Sequence, residues 1–339
     1  MKLTFEPLDL ILEMPFTIAR GTSRQAENLL VRIESDGLRG LGEAGPSAFY
    51  GEDRGTVLAA LATFSGQLGH DPFAVESILA TLDRVLRHNS AAKAAVDMAL
   101  HDLMGKILAV PLYKLFGLDR AAAPRTSFTI GIDTPEVMAQ KAQAAGAYPV
   151  LKVKVGTDDD EARLRAIRQV RPDAVIRVDA NAAWAPRQAI QSIRRLAAYD
   201  LEFVEQPVAA GDLEGLRLVR ENSPLPIFAD ESCVVAQDIP RVADAVDGIV
   251  IKLMKCGGLR RALEMIHVAR AHNLKVMLGC MVESSVGITA AAHLSPLVDH
   301  ADLDGNLLLK NDPFEGVSVE QGRLVLPQGP GLGVERRGQ

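Results

Sequence analysis

The sequence predicts an α/β chain, a (β/α)7β barrel of the TIM type behind an N-terminal α+β domain. Three observations carry this. The 339 residues exceed what one hydrophobic core usually organises, so two domains are expected. From residue 125 onward, apolar strand-like runs alternate with amphipathic stretches. Each run also finishes near an ionisable residue, and these recur about once per βα unit.

The first 120 residues or so read as α+β. KLTFEPLDL, ENLLVRIES and LRGLGEA are strand candidates between polar or glycine turns. SAAKAAVDMALHDLMGKI follows as the clearest helix, with Ala95, Met98, Ala99, Asp102 and Leu103 at helical spacing. Pro124 lies near the expected boundary. Then come TSFTIGI, VLKVKV, AVIRVDA, LEFVEQP, LPIFADE, GIVIKLM and LKVMLGC. Thr134 and Pro135 open the first intervening helix as N-cap and first helical residue. Apolar strands alternating with helices make a parallel sheet buried on both faces. With ADLD near residue 302 the runs number eight, which suits a closed barrel better than an open sheet.

Composition excludes several classes. The net charge is −6 with no basic block, so nucleic acid and anionic membrane are not expected partners. No apolar run is long enough to span a bilayer, and the N-terminal segment has no apolar signal core. Cys233, Cys256 and Cys280 form no CxxC pair, which fits a reducing cytoplasm. Gly40–Gly45 matches G-x-G-x-x-G, but Pro46 and a loop follow instead of a helix, so a dinucleotide site is rejected. His293 and His300 lack a metal-spaced partner and read as helix-surface residues or as residues behind the site.

The residues at the run ends are Lys154, Asp179, Glu205, Asp230, Lys255, Glu283 and Asp302. They are separated by 25, 26, 25, 25, 28 and 19 residues. One such charge could cap a helix. Seven in phase would share the C-terminal face, where barrel active sites lie, and would repel unless they bind something. Asp179, Glu205 and Asp230 offer hard oxygen ligands from three successive strands, with no His or Cys. That set selects Mg²⁺, with Mn²⁺ as a substitute. Lys152 and Lys154 are two apart and share a face. Lys255, on the sixth strand, is nearly opposite. Two lysines across one carbon acid can take a proton from one face and return it on the other. Lys152 and a nearby Mg²⁺ would favour the neutral, basic form of Lys154. Lys252, three residues before Lys255, is a weaker candidate for the base.

VLKVKVG, RVDANAAW, FVEQP, ADES and IKLMKCGG together resemble the enolase superfamily, in its muconate-lactonizing subgroup, and most of all the dipeptide epimerases of the L-Ala-D/L-Glu type. The resemblance runs from about residue 3 to Gly333. It implies a capping domain over residues 1–122, completed by the tail 311–339, and a (β/α)7β barrel over 123–310. It assigns Asp179, Glu205 and Asp230 to Mg²⁺, and Lys154 and Lys255 to the acid/base pair. Lys152 would neutralise the substrate carboxylate. Asp302 and Asp304, two apart on one face, would grip the α-ammonium of a dipeptide. Glu283 and Thr129 match substrate-contact positions. Arg20 and Arg24, in the loop IARGTSRQAE, and Phe49 and Tyr50, in SAFYGED, fall where capping loops meet the substrate side chain.

The expected reaction is inversion of the α-carbon of a dipeptide's second residue, with Ala-Glu as the leading substrate and cell-wall peptide recycling as the implied setting. A homo-oligomer is expected. An o-succinylbenzoate synthase or muconate cycloisomerase would keep the lysines and carboxylates but has no use for the aspartate pair. An acid-sugar dehydratase would place a His where Glu283 stands. A non-catalytic binding protein on the same barrel is the reading from another class.

Overall fold

The computed structural model describes residues 1–338. The chain opens on an antiparallel sheet of β1 (Lys2–Ile18), β2 (Gly21–Ser35) and β3 (Leu38–Ala44). Strand alternation sets its faces. Leu8, Leu10 and Leu12 are buried, while Asp9, Ile11 and Glu13 are exposed. The segment IARGTSRQAE is not an irregular loop. Ile18 pairs with Gly21 and Phe16 with Ser23, so most of it continues the β1–β2 hairpin. The β-branched residues Thr17, Ile18 and Thr22 favour extended backbone, and only Ala19 and Arg20 make the turn.

Helices α1 (Arg54–Phe64), α2 (Val75–Val85), α3 (Ser90–Ile107) and α4 (Leu112–Leu115) follow. The sheet packs directly on α3. A Cβ on Gly40 or Gly42 would lie 1.9 Å from the carbonyl oxygen of Ala99 or Ala95. Those glycines of the G-x-G-x-x-G string therefore serve close strand–helix packing.

The second part alternates strands and helices in the expected order. It comprises β4 (Phe128–Ile130), α5 (Pro135–Ala144), β5 (Val150–Lys154), α6 (Asp160–Val170), β6 (Val175–Asp179), α7 (Pro186–Leu196), β7 (Leu201–Glu205) and α8 (Leu213–Asn222). It continues with β8 (Ile227–Ala229), α9 (Ile239–Val242), β9 (Gly248–Ile251), α10 (Leu253–Cys256), α11 (Leu259–Ala271), β10 (Lys275–Leu278), α12 (Ser285–Ala292) and β11 (His300–Ala301). The eight strands β4 to β11 are parallel and neighbour one another in chain order. The sheet curls until its edges meet, where Ser127 N–H donates to the Ala301 carbonyl at 3.0 Å and Thr126 bridges Ala301. Inside, Phe203, Phe228, Val250 and Met277 form an apolar cluster, with the two phenyl rings stacked at 4.2 Å. Phe203 and Phe228 each lie two residues before a charged strand-end residue and face the same way, so this plug supports the charged mouth.

After β11 comes one short 3-10 turn, Gly305–Leu308, and then β12 (Phe314–Glu315), β13 (Ser318–Glu320), β14 (Arg323–Val325) and β15 (Glu335–Arg336). The tail returns to α3 and α4. Leu332 N–H donates to Asp102 Oδ1 at 2.7 Å, and Leu112 N–H to the Gly331 carbonyl at 3.0 Å. His293 is no helix-surface residue. It is fully buried, accepts the Tyr113 N–H at 3.2 Å and lies 3.0 Å from the Leu332 carbonyl oxygen, joining the barrel to the tail.

Candidate active site

The C-terminal ends of the strands converge on a buried, highly charged mouth. Lys152 and Lys154 point inward from β5, as their spacing requires. Lys154 Nζ donates to Asp179 Oδ2 at 2.6 Å. Lys152 Nζ lies 2.8 Å from Asp302 Oδ2, 2.8 Å from Glu205 Oε2 and 3.2 Å from Asp179 Oδ2. Across the mouth, Asp230 meets two lysines. Lys252 Nζ reaches its Oδ2 at 2.8 Å, and Lys255 Nζ its Oδ1 at 2.5 Å.

Two sequence placements need correction. Lys255 is not on the sixth strand: β9 ends at Ile251, and Lys255 sits on the one-turn helix α10, which Gly257 ends at φ +97°. Glu283 does not end the seventh strand, which stops at Leu278; it sits in the loop before α12. Lys252, the weaker candidate for the base, shares the Asp230 carboxylate with Lys255, because the helical turn after it brings both lysines together.

The electrostatics follow from burial and pairing. Burial alone would raise the Asp179 carboxyl, but the Lys154 and Lys152 ammoniums hold it well below the usual range. Asp230 is likewise held low, against burial, by Lys252 and Lys255. Burial would lower Lys152, and Asp302, Glu205 and Asp179 overcome it, so its charge is firmly held. Glu205 goes the other way: burial, and then the negative charge of Asp179, push it up to about 8. Both its oxygens are buried without a hydrogen bond, since the Lys152 contact is off line.

These three carboxylates suit a hard divalent cation. Glu205 has two orphaned oxygens. Asp230 spends both of its oxygens on ammonium groups, and Asp179 spends Oδ2 on Lys154 and Oδ1 on the Asn181 N–H, so both carboxylates already receive positive charge where a cation would supply it. Among the described residues, no three Asp, Glu, His or Cys side chains are already drawn together as a cage. A metal would enter by displacing those lysine contacts.

On the opposite wall, Asp302 accepts from Ser127 Oγ at 2.6 Å and from Lys152. Asp304 Oδ2 accepts the Thr129 backbone N–H at 2.6 Å. Burial, and then Asp302, push Asp304 up to about 7. Glu283 Oε1 accepts the Met281 N–H, while its Oε2 is buried and unpaired. Burial, and then Glu43, push Glu283 up to about 8.

The hairpin turn closes over this mouth. Arg20 Nη1 donates to Glu231 Oε1 at 2.6 Å and to the Asn181 carbonyl at 2.8 Å, and its guanidinium lies 4.5 Å from the centre of the Phe49 ring. Arg20 is thus committed to a protein carboxylate. Arg24 is exposed on β2. Ala19, Arg20, Phe49, Gly156, Ala183 and Ala210 border an open depression of about 530 Å³. Glu231 and Asn181 are site residues that sequence reasoning passed over. Each lies within two residues of a singled-out carboxylate, in ADES and VDAN, which was the available signal.

Comparison with known proteins agrees with this fold. The family described as "Enolase C-terminal domain-like" matches residues 136–339, and "Mandelate racemase / muconate lactonizing enzyme, N-terminal domain" matches residues 4–117. The chain belongs to the mandelate racemase / muconate lactonizing enzyme group of the enolase superfamily. It is 44% identical over 336 residues to the L-Ala-D/L-Glu epimerase of Bacteroides thetaiotaomicron, covering 98% of this chain and 88% of that protein. It is 43% identical to the hydrophobic dipeptide epimerase of Enterococcus faecalis, over 95% of this chain and 96% of that protein. The structure of a dipeptide epimerase from Enterococcus faecalis, complexed with Mg and L-Leu-L-Tyr, superposes with a TM-score of 0.94 at 41% identity, covering 98% of this chain and 99% of that one.

Proposed function

We propose that this chain is a Mg²⁺-dependent dipeptide epimerase that inverts the α-carbon of the second residue. The observation that carries the reading is the pairing of Lys154 and Lys255 with carboxylates on two sides of one mouth, with Asp302 and Asp304 on the wall beside them. The membership in the superfamily and the named relatives support it.

Asp179, Glu205 and Asp230 would hold Mg²⁺. When bound, the ion supplies positive charge to the substrate carboxylate, which makes the adjacent α-proton more acidic. Lys152, held charged by three carboxylates, adds a second positive charge on that side. The lysines do the proton work. One, neutral, takes the α-proton onto its Nζ; the other, as ammonium, delivers a proton from its Nζ to the opposite face. Reversal exchanges the roles. Asp302 and Asp304 accept the N–H groups of the dipeptide's ammonium and fix its register. The buried mouth and the hairpin above it limit access of water to the reacting carbon.

Residues 1–122 with the tail 311–339 act in this reading as the cap, and 123–310 as the barrel. The substrate proposed first is L-Ala-L-Glu or L-Ala-D-Glu, on the strength of the Bacteroides relative and of the arginines on the hairpin. A second reading, an apolar second residue, is favoured by the commitment of Arg20 to Glu231 and by the small apolar lining of the depression. No helix among the described residues is long and apolar enough to cross a membrane. We place the reaction in the cytoplasm and infer a homo-oligomer, which sedimentation measures. A dipeptide library incubated in D₂O tests the function: mass spectrometry should find deuterium at one α-carbon of the substrates. A library with no uptake at any concentration of Mg²⁺ would overturn the assignment.

A further inference from the structure

Helix α11 begins without a side chain to cap it. Its N-cap is Gly258, at φ +115°, which offers nothing to the first free N–H groups. The cap comes from α3 instead. Asp97 Oδ2 accepts the N–H of Leu259 in a short bond and that of Arg260 at 3.3 Å, from 162 residues away in the first case. Asp97 is fully buried. A Cβ at position 258 would lie 2.3 Å from Asp97 Oδ2, so the glycine makes room for the carboxylate. His101, one helical turn on, braces the same residue: its Nδ1 is 2.9 Å from the Asp97 carbonyl oxygen and 3.2 Å from Oδ1.

The helix start held this way directly follows the turn that carries Lys255. Helix α10 is a single turn and is followed by Gly257 and Gly258, both at positive φ. Their N–H groups close the turn on the Leu253 carbonyl, at 2.9 and 3.0 Å, but neither brings a side chain that could tie it to its surroundings. The turn is tied to its surroundings by the Lys255 ammonium, which donates to Asp230 Oδ1 and to the Asp230, Cys233 and Val250 carbonyls, by the Gly45 N–H, which lies 3.2 Å from Met254 Sδ, and by Asp97 beyond its C-terminal end. Lys154 is held differently. It is the last residue of β5, a strand flanked by β4 and β6, and is paired there with Asp179. A comparable cap elsewhere does not touch Lys255: Glu43 accepts from Ser284 N–H, Ser284 Oγ–H and Gly287 N–H, at the start of α12.

We infer that Asp97, braced by His101, is a positioning residue for Lys255 alone, so that it serves one of the two half-reactions. The inference rests on the two-lysine reading above, and that dependence supplies its test. Each epimer of a substrate dipeptide is dissolved separately in D₂O with Mg²⁺. Loss of the α-proton signal and inversion are then followed by NMR. Lys255→Ala identifies the epimer that Lys255 deprotonates. Asp97→Asn should slow exchange of that epimer by roughly one to two powers of ten, the penalty typical of a displaced catalytic group. Exchange of the other epimer, through Lys154, should stay within about threefold of wild type, with retained configuration. His101→Asn should give the same asymmetry, smaller. Glu43→Gln should lower both epimers together or neither. Equal losses for the two epimers in Asp97→Asn would overturn the inference, as would normal rates for both. If neither the Asp97 nor the His101 variant folds, the cap is structural and the inference fails. A wild type that exchanges no epimer of any dipeptide removes the two-lysine reading itself, and this inference with it.

Discussion

Lys154 Nζ lies 2.6 Å from Asp179 Oδ2, so a proposed base is hydrogen-bonded to a proposed metal ligand. Asp230 holds Lys255 in the same way across the mouth. Metal and substrate must therefore take over contacts that the protein now makes with itself.

Chelation should abolish activity, and Mg²⁺ or Mn²⁺ should restore it. Mg²⁺ should also raise Tm, because a ligand present at a hundred times its Kd stabilises the folded state by about 2.7 kcal/mol. Asp230→Asn should lose both effects. Full turnover after thorough EDTA treatment would contradict the metal assignment.

Each lysine should be needed for inversion but not for every exchange. Lys154→Ala and Lys255→Ala should each block epimerisation, and each should still exchange the α-proton of one epimer. Normal turnover in both directions by Lys255→Ala would rule out a two-base mechanism. Because Lys252 shares Asp230 with Lys255, Lys252→Ala provides the comparison.

An N-acetylated dipeptide should be a poor substrate, since the Asp302–Asp304 pair would be left with Lys152, on Asp302, and no ammonium for Asp304. Asp304 sits up at about 7 because of burial and then Asp302. It must be ionised to attract an ammonium, so KM should rise as pH falls below about 7. An Asp304→Asn enzyme should lose that part of the profile. Equal rates for free and acetylated substrates would point to a different carbon acid.

Glu283 makes stability depend on pH. Its folded carboxyl is raised to about 8 by burial and then Glu43, above its ordinary value. The folded state therefore holds this proton more tightly than the unfolded chain does. The stabilisation is complete below the ordinary glutamate range and is lost as pH rises through about 8. Glu283→Gln should unfold at a Tm that falls less between pH 5 and 8.5 than that of wild type, by on the order of a few kcal/mol in stability. Parallel curves would show that the Glu283 carboxyl does not titrate in this way.

The two arginines should separate. Arg20→Ala leaves Glu231 buried without its partner, so it should lower kcat/KM for Ala-Glu and Ala-Leu alike. Arg24→Ala should lower Ala-Glu alone, by roughly one to two powers of ten, from loss of about 1.5–3 kcal/mol of charged hydrogen bonding. A wild type that prefers Ala-Leu, or an Arg24 variant without discrimination, removes the glutamate preference and leaves the epimerase reading in place.

Much of this was legible before any coordinates. Strand residues two apart share a face, so Lys152 and Lys154 could be placed together from spacing alone. The regular interval between Asp179, Glu205 and Asp230 marked three adjacent strands, and the structure has them on β6, on β7 and just after β8. Lys255 was recognised as a residue but misplaced as a strand end, because a one-turn helix between a strand and two glycines has too few residues to show a period.

The order of strands and helices, the face on which the charges gather and the chemistry those charges can perform are written in the chain. Those properties depend on periodicity and residue type, which are local. Which groups the buried carboxylates meet was settled by the packing of the two parts of the chain: Glu231 with the Arg20 guanidinium, Glu43 with the Ser284 hydroxyl, Asp97 with the Leu259 N–H. The partners are 211, 241 and 162 residues apart in the chain. Burial makes each contact strong, since an unpaired polar group at those sites would be costly. No local pattern encodes it, because each carboxylate finds its partner only after the N-terminal sheet and helices have docked on the barrel.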